Sequence, residues 1–177
     1  MIRAADYARR KKIPYFGLCL GMQILIISYA RNVLKFKDAN STEMNSDTEY
    51  PVIATMADQI DKIKNKNYGA SMRLGAYDCI LTKDTVAFGA YKASKISERH
   101  RHRYEVNTKY IAELEKAGLV FSGRSPDGVL MEIAELPKNR HPFYLGTQFH
   151  TEFKSRPLQP HPLFTAFIKA CIYKKKN

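Results

Sequence analysis

The 177-residue chain carries 29 lysine and arginine residues against 17 aspartate and glutamate residues, a formal charge of +12. Its 45% hydrophobic and 26% charged residues match a globular domain and exclude disordered and collagen-like chains. The most apolar run, at 24–27, is far too short to span a bilayer, and the first residues show no secretory signal. Three scattered cysteines without a CxxC pair argue against a disulfide framework or a cysteine-based zinc site, and favour a reducing, cytoplasmic compartment.

Hydrophobic periodicity and turn residues predict alternating helices and strands in the first half of the chain. We expect a helix at 2–12, a buried strand at 13–17 and a second helix from 20 onward. A polar loop follows at 37–50 and a strand at 52–56. We then expect an exposed loop at 62–69 and a strand at 72–82. A short helix follows at 84–92 and an extended segment at 98–106.

The second half is predicted to hold a helix at 108–117, capped by Asn107 and ended by Gly118. Strands at 119–122, 129–135 and 144–149 follow, the first two joined by a turn at 125–128, and a terminal helix covers 162–173. Mixed helices and strands indicate an α/β domain.

The candidate nucleophile is Cys19, the centre of a Gly-x-Cys-x-Gly pattern between a predicted strand and a predicted helix. Gly17 and Gly21 suit a sharp turn that leaves no room for a Cβ and projects the central side chain into a cleft. Unpaired N–H groups at the start of the following helix favour the thiolate and can receive an oxyanion. The alternative is a buried structural cysteine in a glycine-containing turn.

The candidate base is His150, which follows an apolar strand at its expected carboxyl end, where ligand crevices of open α/β sheets lie. Glu152 is two residues further on, so its carboxylate can hold the imidazole. His100 and His102 lie in an arginine-rich strand that disfavours their protonation, and His141 and His161 precede prolines in expected loops. Taken alone, a His-x-Glu pair is more often a surface pair. The presence of the cysteine pattern in the same chain favours the catalytic interpretation.

The densest positive run, at 98–107, contains three alternating arginines. If the run is a strand, Arg99, Arg101 and Arg103 share one face. Three interpretations of the run stay open. It is a solvated edge strand, a surface that binds the phosphates of a nucleic acid, or an arginine clamp on a carboxylate substrate. One aromatic residue, Tyr104, is too few for base stacking, which disfavours nucleic acid.

Two segments together point to a known family. Residues 14–23 resemble the nucleophile segment of the class I, triad-type glutamine amidotransferases, and residues 148–153 resemble their His-x-Glu segment. Residues 39–43, 71–75 and 98–107 narrow the resemblance to the glutaminase domain of the CTP synthases. The resemblance implies an α/β, class I glutamine amidotransferase-like (flavodoxin-like) three-layer sandwich.

The resemblance also implies the roles of individual residues. Cys19 would attack the side-chain amide of L-glutamine, His150 would move the proton, and Glu152 would orient His150. The substrate would be held by the Leu20 backbone N–H, by Gln23, by Glu43 at its ammonium group and by Arg103 at its α-carboxylate. No cofactor or metal is expected in this chain.

In that family the ammonia passes to a synthetase domain, which uses ATP and Mg²⁺ to aminate UTP to CTP, and GTP activates the glutaminase half. The resemblance therefore implies a synthetase domain as partner and a homo-oligomeric, tetrameric parent protein. It implies neither a membrane nor a nucleic-acid partner.

The chain departs from the family pattern in two ways. Thr151 stands where the family has proline, which restores an N–H and predicts a slightly looser triad. No glycine precedes Gly17, so the glycine-rich loop that supplies a second oxyanion donor, the first strands and the synthetase domain lie outside the match. We expect residues 1–177 to be the C-terminal part of a glutaminase domain, and weakly active or inactive alone, since one lost donor costs about 10²–10³ in rate.

Two other functions remain open. One is a stand-alone γ-glutamyl hydrolase, or an amidotransferase for another acceptor, against which the segments at 40–43 and 99–107 argue. The other is a non-catalytic basic binding module that retains the site residues, which an unreactive Cys19 would favour.

Overall fold

The computed structural model describes residues 1–55 and 72–176, and the loop predicted at 62–69 lies outside them. Its helices are α1 (Ile2–Lys11), α2 (Leu20–Tyr29), α3 (Val86–Tyr91), α4 (Ile111–Lys116) and α5 (Pro162–Lys176). Its strands are β1 (Tyr15–Leu18), β2 (Asn40–Ser41), β3 (Pro51–Ala54), β4 (Arg73–Leu81), β5 (Lys95–His102), β6 (Glu105–Val106), β7 (Val120–Arg124), β8 (Met131–Glu135) and β9 (Tyr144–Thr147). A π-helical turn, Ala30–Leu34, extends α2, and single 3₁₀ turns lie at Thr108–Tyr110 and Thr151–Phe153.

Six strands form one mixed sheet in the order β1-β9-β8-β7-β4-β5, and β2, β3 and β6 form a small second sheet. Within the six-stranded sheet, β1 and β9 pair in parallel, with Leu18 opposite Thr147, and the other described pairings are antiparallel. The carboxyl ends of β1 and β9 therefore meet at one edge of the sheet. Cys19 follows directly after the first of these ends, and His150 follows shortly after the second.

Two apolar layers cover the large sheet. One contains residues of α1, α2 and α4 against one face, among them Ala8, Leu25, Leu114, Phe121 and Tyr144. The other contains residues of α3 and α5 against the opposite face, among them Ala87, Ile133, Phe143, Leu145 and Leu163. Tyr144 and Leu145 are consecutive and belong to different layers, as expected for side chains that alternate across a strand. The three-layer α/β fold implied by the resemblance is confirmed.

The predicted elements agree with the structure, apart from small shifts at their ends and two differences. The segment predicted as extended over 98–106 is two strands, because the chain bends at Arg103 and Tyr104. The polar loop predicted at 37–50 contains the short strand β2. The Asn107 side chain accepts the Lys109 N–H at 3.1 Å, and Gly118 has φ +96°, so the predicted cap and stop of this helical segment are confirmed.

Across residues 1–55 and 72–176, no helix is both long enough and apolar enough to cross a membrane.

Candidate active site

A tight bend between β1 and α2 holds Cys19. Its backbone lies at φ 49° and ψ −103°, a conformation that residues with a side chain rarely adopt. The Cys19 N–H donates to the Thr147 carbonyl at 2.7 Å, which ties the bend to the end of β9. Such strain persists only where the surrounding structure enforces it, and it is concentrated at functional sites.

Close packing around the bend explains part of the glycine pattern. A Cβ on Gly17 would lie 2.5 Å from the backbone carbonyl of Gly21, and a Cβ on Gly146 would lie 2.8 Å from Met22. A Cβ on Gly21 would meet only the Tyr15 hydroxyl, at 3.9 Å. The expectation that both glycines of the pattern are required by lack of space is therefore correct for Gly17 and wrong for Gly21, because the crowded partner on the helix side is Gly146 of β9.

A cavity of about 330 Å³ opens beside the bend. It is lined by Cys19, Leu20, Gln23, Glu43, Met72, Arg101, His102, Arg103 and Tyr104. The lining includes the nucleophile candidate and all four residues expected to hold glutamine. Glu43 supplies a negative charge, and Arg101 and Arg103 supply positive charges, as a zwitterionic ligand requires.

The three arginines of the basic run do not all lie on one strand. Arg99 and Arg101 lie on the exposed side of β5, which alternates with a buried side. Arg103 lies beyond the last residue of β5, at the bend, where it lines the cavity. The prediction of a common face required all three arginines to lie on one strand, and this condition fails because β5 ends at His102. The clamp interpretation gains support from the position of Arg101 and Arg103 beside Cys19.

His150 and Glu152 form a close pair next to this cavity, although neither lines it. The His150 Nδ1 lies 2.7 Å from the Glu152 carboxylate, which accepts the Nδ1 proton and leaves Nε2 as the basic nitrogen. The His150 N–H donates to the Arg99 carbonyl at 2.9 Å, while the Cys19 Sγ lies 4.0 Å from the Arg101 carbonyl. The His150 backbone and the Cys19 side chain therefore both contact the second half of β5.

Thr151 is the first residue of the 3₁₀ turn that follows His150. A proline is tolerated at such a position, since the first N–H of a helical turn needs no partner within it. The looser triad expected from this substitution stays a prediction.

Burial raises the pKa of the Cys19 thiol, and the nearby Glu105 and Glu152 carboxylates raise it further. The Leu20 N–H lowers that pKa, as expected for a helix N-terminus, and so does the Gln148 side chain. Desolvation is the largest of these effects, and it disfavours the thiolate at rest. The cysteine consequently needs a base to become a nucleophile.

A buried ionic cluster, to which no sequence motif pointed, lies behind the cavity. Arg73 donates from Nη1 to Glu105 at 3.1 Å and from Nη2 to Glu132 at 2.8 Å. Two carboxylates share one guanidinium in a desolvated setting. Burial raises the pKa of Glu105 to about 8, and it also raises the pKa of Glu132.

Two neutral histidines connect this cluster to the cavity wall. Burial, reinforced by Arg73, lowers the pKa of His100 to about 2 and that of His102 to about 3. These lowered pKa values agree with the expected lack of charge, although burial outweighs the neighbouring cations as its cause. The His102 Nδ1 donates to the Tyr104 carbonyl at 3.2 Å, so its Nε2 accepts from the His100 Nδ1 at 2.8 Å.

The raised pKa of Glu105 predicts a pH-dependent stability. The unfolded chain loses this proton near pH 4.5 and the folded chain near pH 8, so the contribution of Glu105 to the free energy of unfolding falls as pH rises between them. Glu105→Gln should flatten this fall by on the order of a few kcal/mol, because Gln keeps the Arg73 contact without titrating. Urea unfolding at about pH 5 and about pH 8 measures it. The exposed variant Glu113→Gln is the control, and an equal slope in Glu105→Gln and the parent protein would contradict the prediction.

The remaining two histidines have structural partners. The buried His141 ring donates to the Ala8 carbonyl at 3.1 Å and accepts the Phe143 N–H at 3.2 Å. The buried His161 ring lies 3.0 Å from Glu98, at the start of α5. Across the described residues, no cluster of three or more His, Cys, Asp or Glu side chains could hold a metal ion.

A second cavity, of about 1050 Å³, lies between α3, the segment at 138–143 and α5. It contains none of the predicted catalytic or glutamine-binding residues, and it borders the amino end of β9 rather than the carboxyl end. The smaller cavity remains the candidate active site despite its size, since Cys19 and the charges expected to bind a zwitterion line it.

Comparisons with known proteins agree with this geometry. The chain is 56% identical over 171 residues to a CTP synthase of Rubrobacter xylanophilus, and 53% identical over 178 residues to a CTP synthase of Aquifex aeolicus. These alignments cover 97% and 99% of this chain but 30% and 32% of the relatives, so the chain spans about a third of their length.

A solved structure shows the same fold. The glutaminase domain of Trypanosoma brucei CTPS, with bound acivicin, superimposes with a TM-score of 0.89 at 39% identity. That match covers 97% of this chain and 65% of the solved chain. The family model for glutamine amidotransferase class-I matches residues 1–170, and the chain belongs to the class I glutamine amidotransferase family.

Proposed function

We propose that this chain hydrolyses L-glutamine at Cys19 and that the ammonia is used to convert UTP to CTP. The observation that carries the first part is the strained bend that places Cys19 on a cavity with opposite charges, next to the His150–Glu152 pair. The similarity to CTP synthases over nearly the whole chain supports the second part.

Glutamine binding uses both charges of the cavity. Arg103 grips the α-carboxylate with its planar fork, and Glu43 faces the α-ammonium group. The side-chain amide then extends toward Cys19, with Gln23 on the cavity wall. The Leu20 N–H, at the start of α2, donates to the amide oxygen as negative charge develops on it.

The reaction proceeds through a covalent intermediate. The His150 Nε2 takes the thiol proton as the Cys19 Sγ attacks the amide carbon, and Glu152 stabilises the imidazolium that forms. The C–N bond of the resulting tetrahedral species breaks, and His150 returns the proton to the leaving ammonia. Water, deprotonated by His150, then attacks the thioester, which releases glutamate and regenerates the thiol.

The remaining proposals concern a longer protein of the kind represented by the CTP synthase relatives. We propose that residues 1–177 are the C-terminal part of a glutaminase domain, with a synthetase domain that uses ATP and Mg²⁺ to activate UTP, stimulation by GTP and a tetrameric assembly. Residues 1–177 alone should hydrolyse glutamine slowly, because Leu20 is the one oxyanion donor that the family resemblance assigns to them. Among the described strands, β1 pairs with β9 alone, so its other edge can accept a further strand.

The test is steady-state turnover by the purified full-length protein, measured as ammonia and CTP together. We expect glutamine hydrolysis, with CTP formation from UTP that depends on ATP and Mg²⁺. Glutamine hydrolysis without any amination of UTP would instead support a stand-alone hydrolase or another acceptor. A protein that releases no ammonia from glutamine, with or without nucleotides, would contradict the proposal.

A further inference from the structure

Gln148 lies between the end of β9 and His150, and its side chain is fully buried against Cys19. Its Nε2 lies 3.7 Å from the Cys19 Sγ, and its Oε1 accepts a hydrogen bond from the Gln23 Nε2 at 3.4 Å. Its backbone N–H donates to the Glu132 carbonyl at 2.8 Å, which fixes the main chain at this point. A buried amide therefore contacts the reacting sulfur directly.

The direction of this amide is set by its neighbours. The Tyr104 carbonyl can only accept, and it faces the Gln23 Nε2 at 3.1 Å and the His102 Nδ1 at 3.2 Å. Gln23 must therefore present its NH₂ group on this side, and Gln148 must offer its oxygen to Gln23. The Gln148 NH₂ group is consequently left facing the sulfur.

We propose that Gln148 is a further catalytic residue, whose side-chain N–H donates to the Cys19 sulfur and stabilises the thiolate as His150 removes its proton. The Leu20 N–H also faces the sulfur at rest, but the reaction requires this donor for the amide oxygen. Gln148 has no such second task, so it can stay on the sulfur when the thiolate forms and again when the thioester is hydrolysed. The catalytic consequence rests on the proposed glutamine hydrolysis, whereas the contact with the sulfur does not.

Several charged or titratable groups lie near the same sulfur and must be kept constant in a test. Glu105 and Glu152 lie close enough to disfavour the thiolate, and His150 is the expected base. Glu43, Arg101, His102 and Arg103 share the cavity lining with Cys19. A substitution at Gln148 leaves all of these groups in place. It removes the neutral donor to the sulfur and also the Oε1 acceptor of Gln23, whose Nε2 keeps the Tyr104 carbonyl.

The experiment measures the rate at which iodoacetamide alkylates Cys19 as a function of pH in the full-length protein, by mass spectrometry of the peptide that contains Cys19. Gln148→Met removes the donor while keeping the side-chain volume, and should raise the midpoint of alkylation by about 1–2 pH units. Gln148→Asn keeps an amide but withdraws it by one methylene, so it should raise the midpoint in the same direction with less risk to folding. Gln159→Met, at an exposed position, should leave the midpoint unchanged.

An unshifted midpoint in either folded Gln148 variant would overturn the inference, and a raised midpoint in the folded variants would support it. Thermal unfolding of each variant shows whether it is folded. Glutamine hydrolysis by the parent protein is recorded in the same preparations. A raised midpoint without glutamine hydrolysis by the parent protein would support the Gln148 contact and contradict the proposed function. Glutamine hydrolysis by the parent protein with an unshifted midpoint would support the proposed function and contradict the Gln148 inference.

Discussion

Cys19→Ala should reduce glutamine hydrolysis by about 10⁶-fold, the size of loss typical when a covalent nucleophile is removed. A thioester needs a sulfur atom, and Cys19 is the residue whose side chain the strained bend presents to the cavity. No other group at the bend can take its place. Binding of glutamine should persist, because Glu43 and Arg103 are untouched and the smaller side chain opens the cavity slightly. Initial rates of ammonia release, together with equilibrium binding of glutamine, measure the two effects separately.

Cys171→Ala is the matched control for this loss. Cys171 is half-buried on α5, away from the cavity, so its replacement should leave the rate unchanged. Cys79 is buried in the apolar layer that contains residues of α3 and α5. Burial raises the pKa of its thiol, so Cys79 cannot substitute for Cys19. A Cys19→Ala protein that hydrolyses glutamine within tenfold of the parent rate would exclude Cys19 as the nucleophile.

His150→Ala should lower the rate of hydrolysis by about 10²–10⁴-fold, the usual contribution of a positioned general base. The effect should fall on kcat rather than on KM, because His150 does not line the substrate cavity. It follows from the raised pKa of Cys19: a buried neutral thiol has little thiolate at neutral pH, so a base is required. The measurement is a full saturation curve at several pH values.

Glu152→Gln tests the same step through the partner of His150. Loss of the carboxylate at 2.7 Å removes the group that fixes the ring tautomer and stabilises the imidazolium, so kcat should fall, though less than in His150→Ala. The exposed Glu113→Gln is the control for loss of one negative charge. Equal rates in Glu152→Gln and the parent protein would mean that the pair is only a surface contact.

The proposed reactive residues could be selected from the sequence because each belongs to a short local pattern. Gly17, Cys19 and the helix that follows encode a bend, and the pair His150 and Glu152 follows an apolar strand at the end where clefts form. The parallel pairing of β1 with β9 then brings the two patterns to one edge of the sheet. The family resemblance supplied the proposed roles of Gln23, Glu43 and Arg103, which no local pattern gives.

The groups that the sequence did not reveal come from several strands and act through burial. Arg73, Glu105 and Glu132 lie far apart in the chain, and nothing in their local sequence shows that three charged side chains share a desolvated cluster. Gln148 stands two residues before His150, but a lone glutamine in an apolar strand gives no signal of contact with a sulfur. Its position becomes informative only with the orienting contacts of Gln23 in place.

The central claim is that Cys19 forms a covalent bond with the glutamyl group of the substrate, and rapid acid quenching during turnover tests it directly. The quenched full-length protein is digested, and the peptide that contains Cys19 is weighed by mass spectrometry. The account predicts a fraction of this peptide heavier by one glutamyl group, absent in Cys19→Ala. Unmodified Cys19 throughout turnover at every quench time, or a glutamyl group on another residue, would contradict it.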